Sequence, residues 1–383
     1  MTDSVSPYPL PNTGSLVRLA SSSNLDAVVA MSPENFAYAT GAYIMTVRDI
    51  RPRQAFAVLP AKGDPAALVC SIERQQMQVE SWIKDIRVYT EFVDEPVDAL
   101  AALLKDKGIT SGKIGIDLDY LPVNSYQRLR SLLPNLELVD THPVISAVRA
   151  IKSNDEISFL EKTTKQTHRA VLDAMSASNL GETERVMANR IATGIINNGA
   201  DGIRFLVFGS GQRSSQTHAL ASDKIPQPSE IIRLDVAGTY GAWCSDLART
   251  YSTGKPTALQ SDTYAALWEI QTATINMVRA GMPAEEPFYY CKERFEKAKL
   301  KFTMPHIGHS LGVELHESPL LRPGEKRKLE AGMVINIEPL ITDSAGETYH
   351  LEDLFVVTDN GPRLLTLGFA PKQIPVIGQP IPR

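Results

Sequence analysis

Two acids, Asp235 and Asp246, stand eleven residues apart in a stretch otherwise suited to burial, EIIRLDVAGTYGAWCSDLARTYSTG (230–254). A carboxylate on an apolar strand is costly unless it is paired or bound to a cation. The stretch reads as two strands around a Gly-containing turn. One fold-back sets the two carboxylates side by side. Two further acids repeat the pattern. Glu338 interrupts MVINIEPLI (333–341), and Glu352 precedes the apolar DLFVV of YHLEDLFVVTD (349–359). These two runs read as neighbouring strands of a hairpin. Any one of these acids alone fits a strand end, a helix cap or a lysine partner. Four converging on one place do not, because like charges repel unless cations neutralise them.

An imidazole source lies between the two pairs. HIGHSLGVELHESP (306–319) holds three of the chain's seven histidines. His309 lies between Gly308 and Gly312, where the backbone can approach a compact site closely, and is the best nitrogen donor. His316 follows seven residues on and is placed in the same cleft without binding metal. His306 fits the surface or a place behind the ligands. His218, in SSQTHALAS, falls in a polar loop and on its own reads as exposed. Four carboxylates and one neutral histidine balance two divalent ions, which suits a two-metal hydrolytic site. The oxygen-rich set disfavours Cu(I) and fits Mn, Co, Zn or Fe.

The chain of 383 residues is long enough for two domains. LDAVVAM (25–31), AFAVLPA (55–61), ALVCSI (67–72), DIRVYTEF (85–92) and GKIGIDL (112–118) read as strands. PVDALAALLKDKGI (96–109), stopped by Gly108, and SYQRLRSLLPN (125–135) read as amphipathic helices. This is an α/β domain, assigned to residues 1–152. Ser153 then offers a helix cap with Asp155 and Glu156 in the first turn, opening a long helix to about Met175. A second helix starts at Glu182, and others are expected at about 261–280 and 285–298. The second domain, 153–383, is otherwise mostly strands and ends in a proline-rich, extended tail.

A net charge of −5 without a basic block argues against nucleic acid as a partner. No apolar run approaches the ~18 residues of a membrane span, and the N-terminal MTDSVSPYPLPNTG has no export-signal pattern. Cys70, Cys244 and Cys291 are too widely spaced for a disulfide framework or a zinc site. A reducing cytoplasm is the expected compartment.

In order along the chain, LDVAGTYGAWCSDLART, GHSLGVELHESP, INIEPL and LEDLFVVT resemble the motifs of the creatinase/aminopeptidase family, peptidase M24. That family has the pita-bread fold and includes proline dipeptidase, aminopeptidase P, methionine aminopeptidase and creatinase. LDAVVAMSPENFAYATG resembles the opening of the creatinase-type domain that precedes the catalytic domain in proline-directed members. The resemblance implies an α/β N-terminal creatinase-type domain followed by an α+β pita-bread catalytic domain. It implies Asp235 on one metal, Asp246 and Glu352 bridging both, and His309 and Glu338 completing the other. It gives His218 a substrate contact near the scissile bond and His316 a hydrogen bond to the carbonyl or its tetrahedral intermediate. Glu338 would also carry the proton from water to the leaving nitrogen.

Two positions depart from the pattern. His350 stands where proline peptidases usually place arginine, and Ser310 replaces the glycine that commonly follows the metal histidine. The implied function is a dinuclear-metal hydrolase of C–N amide bonds, an Xaa-Pro dipeptidase or aminopeptidase, with Mn or Co as the first ions to test. The alternative is a related hydrolase or lyase acting on a small non-peptide substrate, for which His350 leaves room. A non-enzymatic binding protein is the remaining alternative, disfavoured by the five ligand-type residues. A homodimer is also expected, with YIMTVRDIRPR (43–53) supplying apolar and basic groups at the contact.

Overall fold

The computed structural model describes residues 8–50 and 52–381. The first seven residues of the N-terminal segment, and Arg51 of the expected dimer contact, lie outside the described residues. The chain divides into two compact units, Met1–Arg149 and Ala150–Arg383.

The first unit is built on a six-stranded mixed sheet. Its strands are β1 (Ala27–Ala30), β2 (Phe56–Pro60), β3 (Ala66–Cys70), β4 (Asp85–Tyr89), β5 (Gly112–Ile116) and β6 (Leu136–Asp140), in the order β4-β3-β2-β1-β5-β6. β1, β2 and β3 are buried along their whole length, so their runs are apolar without alternation. Val29, Val58, Leu68, Leu100, Leu104 and Leu129 share one core. The helix Pro96–Asp106 ends just before Gly108, whose φ of 75° takes the left-handed turn. β6 and the helices Thr13–Ser22, Pro33–Thr40, Met45–Asp49, Arg74–Glu80 and His142–Ala150 go beyond the sequence reading. Thr13–Ser22 is serine-rich and weak in propensity, but Asn12 caps it and Leu16, Leu19 and Ala20 are buried.

In the second unit Ser153 caps the helix Asn154–Ser176 through a capping box with Glu156. Helices Glu184–Asn197, Ala258–Met277 and Glu286–Lys297 complete the long helices. One sheet, in the order β10-β8-β7, consists of β7 (Gly202–Ser210), β8 (Ile231–Tyr240) and β10 (Leu247–Ser252), with the short β9 (Trp243–Cys244) also on β8. A second, in the order β12-β11-β13-β16-β17, consists of β11 (His309–Ser310), β12 (Glu317–Leu320), β13 (Val334–Ile337), β16 (Asp353–Thr358) and β17 (Gly361–Leu364). A two-stranded piece pairs β14 (Leu340–Thr342) with β15 (Thr348–His350). Tyr264, Leu267, Phe288, Phe295, Ile335 and Phe355 belong to the core of this unit. The tail, expected to be extended, instead runs through bends at 366–369 and 372–373 and a turn at 377–378, with Val376 bridging to Ser252 in parallel. β7, absent from the sequence reading, pairs along β8 and helps to bury it.

Candidate metal centre

The two aspartates are presented by an intact ladder. Asp235 faces Ala248 on β10 and Val207 on β7. Leu247 pairs with Val236, so Asp246, two residues before Ala248, leaves the same face of the sheet.

The two glutamates are presented by broken strands. MVINIEPLI and YHLEDLFVVTD were each expected as one strand, and each is two. The β13–β16 pairing reaches Ile337 and Asp353, and the β14–β15 pairing resumes at Leu340 and His350. Pro339 has no N–H for a ladder bond, and the gap spans Glu338-Pro339 on one side and Leu351-Glu352 on the other. The Glu338 N–H instead donates to the Ile307 carbonyl at 2.8 Å. The Glu352 N–H donates to the Ala248 carbonyl at 3.1 Å, tying it to the residue opposite Asp235.

His309 is fully buried between these elements. Its N–H donates to Asn336 Oδ1 at 2.8 Å, and its Nδ1 lies 3.0 Å from the Ser310 carbonyl. Donation from Nδ1 leaves Nε2 as the lone-pair nitrogen. Nε2 lies 3.4 Å from Glu338 Oε1 and 3.8 Å from Asp246 Oδ2. Gly308 permits this approach, since a Cβ there would lie 2.1 Å from the Asn336 carbonyl oxygen.

Ligand atoms of Asp246, His309 and Glu352 all lie within 4.8 Å of one another. Asp235 Oδ1, Asp246 Oδ1 and Glu338 Oε1 are buried without a hydrogen-bond partner among the described residues. Burial, reinforced by the neighbouring acids, pushes Asp246 and Glu352 well above the usual carboxylate range. Burial also raises Asp235, with His350 opposing it. Glu338 goes the other way. Burial opposes its ionisation, but His350, His309 and His306 together pull it down to about 2. Burial lowers His309 to about 4, so its imidazole is neutral at neutral pH. Orphaned carboxylate oxygens, mutual repulsion and a neutral nitrogen are what divalent cations would relieve, so the residues present fit a metal centre.

Beside these residues is a cavity of about 720 Å³ lined by Asp235, Asp246, His309 and Glu338 together with His218, His306, His316 and His350. His218 is exposed, as expected from its loop, and also lines the cavity. The His309 and His316 ring centroids are 4.0 Å apart. His306 Nδ1 lies 3.5 Å from Glu338 Oε1, so this ring borders the acids. His350 is buried, with Nδ1 3.7 Å from Asp235 Oδ2 and Nε2 3.2 Å from the Glu338 carbonyl.

Two contributors escaped the sequence reading. Asn336 holds His309 and donates to Glu352. Its signal was the one used for the acids, a polar residue inside the apolar VINI run. Arg233, also inside an apolar strand, approaches Asp235 Oδ2 at 4.0 Å and donates to the Thr217 carbonyl at 3.0 Å, just before His218.

Residues 159–359 match the metallopeptidase family M24, and residues 14–151 match the creatinase/prolidase N-terminal domain. The chain therefore belongs to metallopeptidase family M24, a family of metal-dependent hydrolases, with a creatinase-type N-terminal domain and a pita-bread catalytic domain. It is 28% identical to the uncharacterized peptidase YqhT of Bacillus subtilis, over 82% of this chain and 88% of that one. It is 27% identical to the Xaa-Pro dipeptidase of Pyrococcus furiosus, over 92% and 96%. Among solved structures, the prolidase of Thermococcus sibiricus superposes with a TM-score of 0.84 at 25% identity, over 94% and 98%. Among the described residues no helix is long and apolar enough to cross a membrane.

Proposed function

We propose that this chain is an Xaa-Pro peptidase, a dipeptidase or aminopeptidase, working with two divalent ions held by Asp235, Asp246, His309, Glu338 and Glu352. The observation that carries the reading is the convergence of four carboxylates and a neutral imidazole with three orphaned oxygens beside one cavity. The P. furiosus relative, named an Xaa-Pro dipeptidase, supports the proline preference. Bound divalent ions would activate water and polarise the amide carbonyl. Glu338, held ionised, accepts a proton and delivers it to the leaving nitrogen. His316 donates a hydrogen bond to the developing oxyanion, and His218 contacts the substrate from the cavity rim. Mn or Co are the first ions to supply, with Zn and Fe next.

A small amide or other non-peptide substrate is the second reading, and His350 favours it. An imidazole pressed against Asp235 and Glu338 replaces the forked cation expected there. The deciding experiment assays Xaa-Pro dipeptides, longer Xaa-Pro peptides, non-peptide amides and a dimethylsulfonium compound, before and after chelation. Chelator-sensitive turnover of Xaa-Pro substrates is expected. Turnover confined to the non-peptide compounds, or indifferent to chelation, overturns the reading.

The same proposal includes a homodimer. Arg53 is engaged within its own unit, at 2.8 Å from Glu91, whereas Met45 and Ile50 of the same stretch are exposed. A monomer in light scattering at assay concentration would reject the dimer.

A further inference from the structure

Behind the two histidines, on the side away from the cavity, lies a buried charged cluster that the proposed chemistry does not use. Lys152 Nζ lies 2.9 Å from Glu317 Oε2 and 3.0 Å from Ser310 Oγ. The Lys152 and Glu317 side chains are 1% and 4% exposed. Glu317 Oε1 accepts from the Val313 N–H at 3.0 Å and the Glu314 N–H at 3.2 Å, inside the loop that ends at His316. Ser310 Oγ donates to the Val334 carbonyl at 2.9 Å on β13. Gly312 fits against this carboxylate only because it has no side chain, since a Cβ would lie 2.6 Å from Glu317 Oε1.

Two members of the cluster adjoin a histidine in sequence. Ser310 follows His309, and Glu317 follows His316. Ser310 and Glu317 reach Lys152, whereas His309 and His316 line the cavity beside the acids. One ammonium therefore grips both backbones that carry the facing rings, 4.0 Å apart at 47°. A buried ion pair adds little stability over an apolar replacement and is better suited to fixing one arrangement. It also gives Ser310, the departure at the residue after the metal histidine, a task that glycine could not perform.

We infer that Lys152, Ser310 and Glu317 form a positioning cluster that sets His309 and His316 at their working separation. The inference rests on the roles given to those histidines above, and its test is separable from them. Ser310→Ala removes the hydroxyl without stranding a charge. Lys152→Met with Glu317→Gln removes both charges and keeps an acceptor for the Val313 and Glu314 N–H groups. Both proteins are expected to fold and to hold metal at parental stoichiometry. Turnover should fall about tenfold in the double variant and about threefold in Ser310→Ala, with KM changed less than about twofold, as for reacting groups displaced by a fraction of an ångström.

The readout independent of activity is histidine ¹⁵N NMR on the metal-free proteins. His309 and His316 resonances should shift in both variants, while His168, buried beside Arg249 and away from this cluster, should not. Unmoved His309 and His316 resonances in a folded variant would overturn the positioning role, whatever the substrate proves to be. Should the double variant fail to fold, the same two resonances in Ser310→Ala decide. Moved resonances in an enzyme inert toward every Xaa-Pro substrate would sustain the cluster and discard the peptidase reading instead.

Discussion

Asp117 in the N-terminal unit and Asp246 in the catalytic unit are both buried aspartates, and their surroundings differ completely. Asp117 accepts from the Met31 N–H at 2.9 Å, the Ser32 N–H at 2.8 Å, Asn35 Nδ2 at 3.1 Å and the Thr141 hydroxyl. Asp246 has an orphaned oxygen and faces other acids. A buried carboxylate surrounded by donors ties chain segments together. One surrounded by acceptors is finished only by a cation. Burial alone does not separate the two, and the inventory of donors does.

The largest expected effect comes from the acceptor-rich side. His309→Ala should lose bound metal and activity together, since His309 is the only nitrogen among the proposed ligands. His316→Ala should keep its metal and lose turnover by ~10²-fold, the scale for one missing oxyanion donor. Metal analysis and initial rates on both proteins make the check. Equal metal loss in the two would erase the distinction between ligand and donor. Next comes the donor-rich side. Asp117→Ala should cost roughly 3 kcal/mol of stability by stranding buried N–H groups, with the turnover of the folded protein unchanged. Denaturant melts beside kinetics would show it, and a loss of metal instead would break the comparison.

The smallest effect is in pH. Asp246 and Glu352 titrate above their ordinary values of 3.8 and 4.5 in the folded protein, so there the folded state holds more protons than the unfolded one. Their stabilising contribution is complete below those ordinary values and is lost as pH rises toward the raised ones. His309, lowered from 6.5 to about 4, acts oppositely, adding stability as pH rises across that interval. The raised acids and His309 thus oppose one another, each with a slope of at most ~1.4 kcal/mol per pH unit. Removing one raised acid should therefore tilt the melting temperature of metal-free protein upward with pH relative to the parent. Asp246→Asn should show that tilt above about pH 4, and a profile parallel to the parent's would contradict the acceptor-rich description.

Much of this was legible in the sequence, because a charge inside an apolar strand is a local signal. Asp235, Asp246, Glu338 and Glu352 could be picked out before any fold was known, and His309 stood out between two glycines. The breaks at Pro339 and Leu351 were less legible, because the apolar pattern resumes beyond each of them as a continuous strand would. The Lys152 cluster was not legible at all. Lys152 and Glu317 are 165 residues apart, and nothing in either neighbourhood marks a buried partner. Helices such as Thr13–Ser22 were missed because burial of a few apolar residues, rather than propensity, stabilises them.

The tail has a consequence for how the molecule behaves in crowded solution. β10 is the terminal strand of its sheet, and a bare strand edge invites pairing with another chain. Here the Ala248 carbonyl is taken by Glu352, Thr250 exchanges side-chain bonds with the His350 backbone, and Ser252 donates to the Pro375 carbonyl at 2.8 Å and accepts from the Ile377 N–H at 3.0 Å. Pro375 contributes an acceptor and no further donor. The strand beside the acidic pair is thereby closed to edge-to-edge aggregation by segments that arrive about a hundred residues later in the chain, and until they dock its edge is exposed in the nascent domain.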